Sequence, residues 1–392
     1  MDDPTDNPKM NVPFLDLRAQ DAEVGDAVRA AVHEVLTDQR FILGPHVERF
    51  EAQMAAHAGV PHAVGVASGT DALAIGLAGL GVRPGTRVLT TAFSFFASAS
   101  TIVRLGGRPV FADIDPRTLT LDPDAAAAAL AGTDGPVAGM VPVHLFGRLA
   151  AMPALEALAK RHGLWMLEDA AQAVGARAGD RRAGAFGRAG TLSFYPTKNL
   201  GGIGDGGMLL TADEGLAAHA RRDRHQGQAA PYVHETVGLC SRLDAVQAAA
   251  LGAKLPHLDA WNERRRTIAG WYAAYCHARG LAGVAGAPLV LPEPAGEAHV
   301  FHVYAVRARN RDALRHHLAK YGIGTQVYYR VPLHRQAALA GRCEVPAGLP
   351  ETECATNEVL ALPMYPQLTE EQVERVVDGV AAFYRGGGAD CG

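Results

Sequence analysis

The sequence predicts an α/β protein with a large domain built on a mostly parallel sheet and a smaller α+β domain at its C-terminal end. Between residues 62 and 211, strand-like and helix-like segments alternate along the chain, a pattern typical of a parallel sheet with helices on both faces. The 392 residues are also too many for one ordinary core, which indicates two or three domains.

The composition excludes several classes of protein. Apolar residues make up 48% and charged residues 20% of the chain, as in soluble globular proteins. A net charge of −4 would not attract nucleic acid or an anionic membrane. The sequence contains no run of 18 apolar residues, which is the length needed to span a bilayer. The five cysteines lack CxxC spacing and the 16 histidines lack a metal-binding pattern. We therefore expect a cytoplasmic protein without a metal, a nucleic-acid partner or a membrane anchor.

The predicted elements divide the chain into three parts. Residues 1–18 are interpreted as an N-terminal tail or arm, of which 1–10 form a loose, polar end, residues 19–255 as the large domain, and residues 256–392 as the small domain. Apolar spacing predicts two helices before the first strand and a mixture of strands and helices in the small domain. These elements are helices at 19–38 and 46–58, the first strand at 62–67, and, in the small domain, strands at 301–307 and 325–329 with helices at 311–321, 354–360 and 370–383.

A candidate anion site follows the first predicted strand. Ser68, Gly69 and Thr70 lead from this strand into a helix predicted at 72–80. A strand that turns through glycine into a helix presents unpaired N–H groups and the positive end of the helix dipole, so a phosphate could bind there. Ser and Thr are also common helix N-caps, which is the alternative interpretation of this turn.

An aspartate and a lysine follow two further predicted strands. Asp169 comes just after an apolar run at 164–167, and Lys198 lies beyond the strand predicted at 191–195. Each residue alone could be a helix N-cap or a solvated surface lysine. Ligands collect at the carboxyl ends of parallel strands, where both residues and the phosphate turn should meet. A lysine that forms a Schiff base and a carboxylate that keeps a pyridine nitrogen protonated suit pyridoxal 5′-phosphate (PLP).

Three other residues at this edge have two interpretations each. Phe95, just past a strand end, could stack on the pyridine ring or belong to the core. Gln172 could hydrogen-bond the cofactor or lie exposed in the turn after the strand. His144 follows the strand predicted at 137–143 and could face a substrate or be a buried core histidine.

The glycine-rich segment at 202–207 formally matches the dinucleotide-binding pattern GxGxxG. That pattern needs a strand before it and a helix after it, whereas residues 208–211 look like a strand. We therefore reject a dinucleotide site and interpret these glycines as backbone that bends around Lys198.

Taken together, the ordered motifs resemble the sugar aminotransferases of fold-type I PLP enzymes (DegT/StrS type), which transfer an amino group to keto sugars carried on nucleotides. The similarity covers nearly the whole chain and implies the aspartate-aminotransferase-like fold. The motifs are Phe14-Leu15-Asp16-Leu17, Phe41-Ile42-Leu43-Gly44-Pro45, Ser68-Gly69-Thr70-Asp71-Ala72-Leu73, Pro142-Val143-His144-Leu145-Phe146-Gly147, Glu168-Asp169-Ala170-Ala171-Gln172, the segment from Ser193 to Lys198, Ser241-Arg242-Leu243-Asp244 and Gln247-Ala248-Ala249.

This resemblance implies a role for each matching residue. Lys198 would form the Schiff base, and Asp169 would pair with the pyridinium nitrogen. The other implied cofactor contacts are the stacking ring of Phe95, the side chain of Gln172 and the phosphate-binding residues Ser68, Gly69, Thr70 and Ser193.

The resemblance also implies the reaction. In two half-reactions, L-glutamate would load the cofactor with nitrogen, and a nucleotide-linked keto sugar would accept it in a homodimer with sites at the subunit interface. Dehydratases of the family have histidine at the lysine position, so Lys198 favours transamination. The motifs at 193–199 and 241–244 look closer to members that aminate the 3-position than to those that act at the 4-position. The alternative is a PLP enzyme acting on a cyclitol or another secondary-metabolite ketone; a PLP-bound regulator would need a DNA-binding or signalling module, and no helix-turn-helix pattern is present.

Two positions depart from the family pattern. Cys240 stands where an asparagine usually reaches the phosphate of the neighbouring subunit, and a thiol is a much weaker donor than an amide. We expect PLP binding to survive because several other donors remain. Tyr328-Tyr329-Arg330 replaces the usual His-Tyr-Pro, on the side that faces the substrate. The candidate substrate contacts are His144, Tyr329 and His334.

Overall fold

A seven-stranded sheet forms the centre of the larger, N-terminal part of the protein. The computed structural model describes residues 11–386. The sheet has the order β1-β9-β8-β5-β4-β2-β3, and β9 is its antiparallel member. Along the chain the strands are β1 (His62–Val66), β2 (Arg87–Thr91), β3 (Arg108–Ala112), β4 (Val137–Val141), β5 (Trp165–Asp169), β6 (Arg177–Ala178), β7 (Arg181–Arg182), β8 (Ala189–Ser193), β9 (Gly207–Thr211), β10 (Gln228–Ala230), β11 (Val233–His234), β12 (Leu289–Val290), β13 (Tyr304–Ala308) and β14 (Val359–Leu362).

Helices cover both faces of this sheet. The helices are α1 (Leu17–Asp38), α2 (Pro45–Ala58), α3 (Gly69–Gly79), α4 (Ala97–Arg104), α5 (Pro123–Gly132), α6 (Met152–His162), α7 (Glu214–Asp223), α8 (Ala245–Lys254), α9 (Leu258–Ala278), α10 (Arg311–Lys320), α11 (Pro350–Glu358) and α12 (Glu370–Arg385). Short 3-10 turns connect several of them.

Alternate side chains of the central strands enter two separate cores. On β5, Met166 belongs to the core that contains residues of α2, α6 and α8, whereas Leu167 belongs to the core that contains residues of α3 and α7. On β9, Met208 and Leu209 divide in the same way. Because successive side chains of a strand point to opposite faces, strands with apolar residues at consecutive positions must be covered on both sides. The predicted α/β class is thereby confirmed.

The C-terminal part has its own antiparallel sheet and core. Strands β12, β13 and β14 form this sheet, and α9, α10 and α12 pack on it. The segment that precedes α1 joins this core: Val12 is fully buried and pairs with Ile323. The boundary placed at residue 255 stays a prediction, and residues 1–10 of the predicted tail lie outside the described residues.

Two predicted elements of the small domain are wrong. Residues 325–329 form turns and a single bridge, Gln326 to Ala361, instead of a strand. The predicted helix at 354–360 ends at Glu358, because the buried run Val359–Leu362 becomes β14 and pairs with β13. In both cases pairing with a distant segment determined the secondary structure, and the periodicity of apolar residues does not show such pairing.

Candidate active site

A cavity of about 510 Å³ opens where the parallel strands end at their carboxyl termini. Segments that follow β1, β2, β4, β5 and β8 line it, together with residues just before β9 and residues from the C-terminal part. Its lining includes Ser68, Gly69, Thr70, Phe95, Asp169, Gln172, Ser193, Lys198, His302 and Tyr329. The structure therefore brings together most of the residues that the sequence singled out.

The turn between β1 and α3 is built to leave first-turn N–H groups facing the cavity. Ser68 caps α3, since its Oγ accepts a hydrogen bond from Asp71 N at 3.1 Å. Ser241 supports the turn from behind: its Oγ donates to Asp71 Oδ2 at 2.8 Å. Gly69 has no room for a side chain, because a Cβ atom there would lie 2.8 Å from Ser193 Cβ. The first N–H groups of a helix have no intrahelical acceptor, so this turn suits a phosphate.

Asp169 is held in a fixed orientation at the end of β5. It is 5% exposed. Its Oδ2 accepts a hydrogen bond of 2.7 Å from Ser98 Oγ, and its Oδ1 accepts one of 3.2 Å from Ala171 N. Sequence reasoning missed Ser98, because α4 comes 71 residues earlier in the chain.

Lys198 lies in the loop after β8, with its side chain in the cavity. Burial lowers the pKa of its amine from 10.5 to about 8, and the negative charge of Asp169 opposes part of this effect. A neutral amine is nucleophilic, whereas an ammonium is not. The site therefore contains the reactive amine that attachment of an aldehyde requires.

Glu168, next to Asp169 in the chain, fixes this end of β5 from the other face. The carboxylate is fully buried and accepts hydrogen bonds from the backbone N–H groups of Gly184, Phe186 and Gly187. His144 Nε2 donates a fourth bond, of 2.8 Å, since its Nδ1 already accepts from a backbone N–H. The structure therefore does not bring His144 to the cavity: it is a fully buried core histidine and cannot contact a substrate.

An aromatic wall closes one side of the cavity. Phe95 is 56% exposed and its ring centroid lies 6.3 Å from that of Tyr329. Gln172 connects this wall to the loop after β4: its Oε1 accepts from Phe146 N at 2.6 Å, and its Nε2 donates to Tyr329 Oη at 3.2 Å. Burial raises the pKa of Tyr329, which keeps the phenol protonated. Phe95 is thus available for stacking, whereas nearby Phe93 is core.

Two other predicted residues lie outside the cavity lining. His334 is mostly buried and its Nε2 is 3.3 Å from Glu353 Oε1. Cys240 is exposed and its Sγ accepts a 3.0 Å hydrogen bond from Arg242 Nη2. The structure therefore does not support a substrate contact for His334. The expected contact of Cys240 with a neighbouring subunit stays a prediction.

The arrangement fits PLP in size and in the chemistry of its groups. One cavity is surrounded by a helix start for the phosphate, a glycine where a Cβ would clash, an exposed phenylalanine ring, an oriented carboxylate and a lysine whose pKa is lowered. Within residues 11–386 no cluster of His, Cys, Asp or Glu side chains could hold a metal ion. Over the same range, no helix is long and apolar enough to cross a membrane.

Comparison with known proteins agrees with this geometry. The chain is 46% identical to a pleiotropic regulatory protein of Geobacillus stearothermophilus, over 96% of this chain and 99% of the relative. It is 41% identical to UDP-N-acetyl-3-dehydro-α-D-glucosamine 3-aminotransferase of Acidithiobacillus ferrooxidans, over 93% and 96% of the two chains. The crystal structure of Streptomyces venezuelae DesV in complex with a ketimine intermediate superposes with a TM-score of 0.89 at 43% identity, and covers 95% of this chain and 98% of the other.

The family model that matches extends over residues 23–381, which is most of the chain. The predictions of an aminotransferase and of PLP as its cofactor are confirmed together with the predicted family and fold class. The chain therefore belongs to the DegT/DnrJ/EryC1/StrS aminotransferase family.

Proposed function

We propose that this aminotransferase moves nitrogen from an amino-acid donor, L-glutamate, to the 3-keto group of a nucleotide-linked sugar. The observation that carries the proposal is the convergence of Lys198, Asp169 and the start of α3 in one cavity, in a chain of this family. The 3-position is supported by the relative from Acidithiobacillus ferrooxidans, whose name specifies a 3-dehydro sugar and a 3-aminotransferase.

Each group around the cavity has a task in this reaction. Bound PLP supplies an electron sink for the carbon that loses its proton. Lys198 would hold the cofactor through its amine, and the same amine could give a proton to the substrate carbon or take one from it. Asp169, whose carboxylate is oriented by Ser98 and by Ala171 N, would pair with the ring nitrogen and favour its protonated form. The N–H groups at the start of α3 would hold the phosphate.

The same proposal includes a homodimer in the cytoplasm. A hairpin formed by β10 and β11 exposes Tyr232 (93%) and Val233 (56%) to the surroundings, and exposed apolar side chains of this kind fit a subunit interface. The segment that follows this hairpin contains Val237, which is also exposed, and Cys240. We infer that this face meets the second subunit near its phosphate site.

The test is conversion of keto sugars by the purified protein. The enzyme is loaded with PLP, supplied with L-glutamate and offered a panel of 3-keto and 4-keto nucleotide sugars, and amine products are identified by mass. We expect an increase in mass that corresponds to amination of a 3-keto substrate. Formation of pyridoxamine phosphate from glutamate without any sugar amine would contradict the sugar assignment and favour a cyclitol or another secondary-metabolite ketone.

A lysine variant tests the assignment of the cofactor lysine. Lys198→Ala should lose the visible absorbance of lysine-bound PLP, whereas Lys160→Ala, which changes an exposed lysine on α6, should keep it. If the absorbance persists without Lys198, another amine binds the cofactor. If the wild-type protein binds PLP but exchanges no nitrogen with any donor, the regulatory function named for the Geobacillus relative becomes the better conclusion.

A further inference from the structure

We propose that His302 is a positioning residue for Lys198: its Nδ1–H is tied to Asn199, and its Nε2 lone pair is the acceptor that the flexible Lys198 side chain reaches with its amine by a change of rotamer. This inference rests on the proposed transamination, in which the released lysine must hold and move a proton. Neither the sequence motifs nor the comparisons single out this histidine.

The backbone that carries His302 is fixed against the loop after β4. Val300 N donates to Gly147 O at 2.9 Å, and Val303 N donates to Phe146 O at 3.3 Å. Gly147 has a φ of +95°, and a Cβ atom there would lie 2.8 Å from His302 N. The close approach of the two segments therefore fixes the position of the His302 backbone in the cavity wall.

The side chain of Asn199 determines which ring nitrogen of His302 carries the proton. Asn199 is 3% exposed and directly follows Lys198 in the chain. Its Nδ2 lies 3.1 Å from the carbonyl oxygen of Val300 and 2.8 Å from Asn262 Oδ1. A carbonyl oxygen can only accept, so the amide nitrogen must face Val300 and Oδ1 must face His302.

The orientation of the Asn262 amide is fixed in the same way, since its Nδ2 donates to Val174 O at 3.0 Å and its Oδ1 accepts from Asn199 Nδ2. His302 Nδ1 lies 3.2 Å from Asn199 Oδ1, and an amide oxygen accepts hydrogen bonds but does not donate them. The proton of the neutral ring is therefore on Nδ1, and Nε2 carries a lone pair.

This Nε2 lone pair is open to the cavity that contains Lys198. His302 lines the cavity, and its Nε2 makes no hydrogen bond within residues 11–386 and is not sealed off in the interior. Burial and the positive charges of Lys198 and Arg265 hold the pKa of His302 well below 6.5. The ring therefore stays neutral and remains an acceptor at working pH.

An acceptor at this place would complete the surroundings of the Lys198 amine. The charged and titratable groups that line the cavity with Lys198 come from different elements; they are Asp169, Tyr195, Asp205, His302, Tyr328 and Tyr329. Arg265 of α9 approaches from beneath His302, bound to the carbonyl oxygens of Phe301 and Met364. A hydrogen bond from the ammonium to Nε2 would stabilise the protonated lysine and aim the amine at the reacting carbon.

Two substitutions distinguish the roles of the two ring nitrogens of His302. An asparagine amide reaches the place of Nδ1, so His302→Asn keeps the bond to Asn199 and removes the acceptor that faces Lys198. A glutamine amide reaches the place of Nε2, so His302→Gln keeps an acceptor there and gives up the bond to Asn199. Melting temperatures of both full-length variants report any general loss of stability.

The first readout needs no substrate. In the cofactor-free protein, the rate at which Lys198 reacts with an amine-specific reagent is followed against pH by mass spectrometry. We expect the pKa of Lys198 to fall by about one unit in His302→Asn and to stay near the wild-type value in His302→Gln, since a hydrogen bond to a charged group has about this effect. An unchanged pKa in His302→Asn, or equal shifts in both variants, would overturn the proposal.

The second readout is steady-state transamination with PLP bound. His302→Asn should lower kcat about tenfold with KM changed by less than about threefold, whereas His302→Gln should retain most of kcat. A loss of kcat in His302→Gln alone would assign a purely structural role to the Asn199 bond and overturn the proposal. Because the labelling experiment is independent of the substrate, an error in the proposed sugar would not imitate a failure of this inference.

Discussion

The pKa of Lys198 yields a quantitative prediction for the cofactor-free protein. Burial lowers this pKa from 10.5 to about 8, and Asp169 alone among the contributing charges raises it. At pH 7, about one Lys198 amine in eleven is then neutral, against about one in three thousand for an ordinary lysine, a ratio of about 300. We expect PLP to attach at a rate that rises with pH and levels off above about pH 8.

The assay is stopped-flow absorbance of PLP attachment to cofactor-free enzyme between pH 6 and 10.5. Labelling of the exposed Lys160 in the same protein, followed by mass spectrometry, gives the internal reference. A rate for Lys198 that continues to rise to pH 10 or beyond would refute the reasoning, because it would mean that the amine is solvated as in an ordinary lysine.

The same shift also links stability to pH. A lysine with a lowered pKa in the folded state binds fewer protons than in the unfolded state between pH 8 and 10.5, so the free energy of unfolding rises with pH in this interval. Below pH 8 the buried ammonium costs about 3 kcal/mol. Lys198→Met should therefore stabilise the cofactor-free protein at pH 7, and the difference from wild type should shrink by about 3 kcal/mol by pH 10.5. A constant difference would contradict the burial argument.

Three further substitutions test the parts that support the site. Glu168→Ala leaves three backbone N–H groups and a histidine without their buried acceptor, so denaturant unfolding should show a loss of about 3–5 kcal/mol; a loss below about 1 kcal/mol would mean that the loop relaxes. Gly69→Ala places a Cβ atom 2.8 Å from Ser193 Cβ, and equilibrium dialysis should show about tenfold weaker PLP binding, whereas Gly270→Ala, with open space around its Cβ, should leave binding unchanged. Cys240→Asn should tighten PLP binding by less than about tenfold, because other donors hold the phosphate; a larger gain would show that the missing amide contact matters more.

Much of the fold could be predicted because the central strands are short, apolar and separated by helices of the right length. Asp169 and Lys198 could be identified for the same reason, since each follows a strand whose end is readable from the sequence. The small domain was harder to predict. Residues 325–329 have the composition of a strand, but Tyr328 and Tyr329 line the cavity. The end of the helix predicted at 354–360 belongs to Val359–Leu362, which pairs with β13.

For the residues expected to contact the substrate, the sequence did not predict the direction in which each side chain points. His144 and His334 come from segments that pass near the sheet edge, yet hydrogen bonds to Glu168 and Glu353 turn both side chains away from the cavity. Ser98 and His302 had no local signal, because their partners lie 71 and 103 residues away in the chain. Periodicity reports which residues are buried, but not which buried side chain faces a ligand.

By itself, the sequence determined the class of fold, the order of the central elements and the chemistry of the lysine and aspartate, because strand ends and helix starts are local properties of the chain. Only the tertiary structure decided which side chains face the cofactor cavity, how Asp169 is oriented and which nitrogen of His302 carries the proton. These features depend on hydrogen bonds between segments that are distant in the sequence, and the geometry of such bonds exists only when the chain has folded.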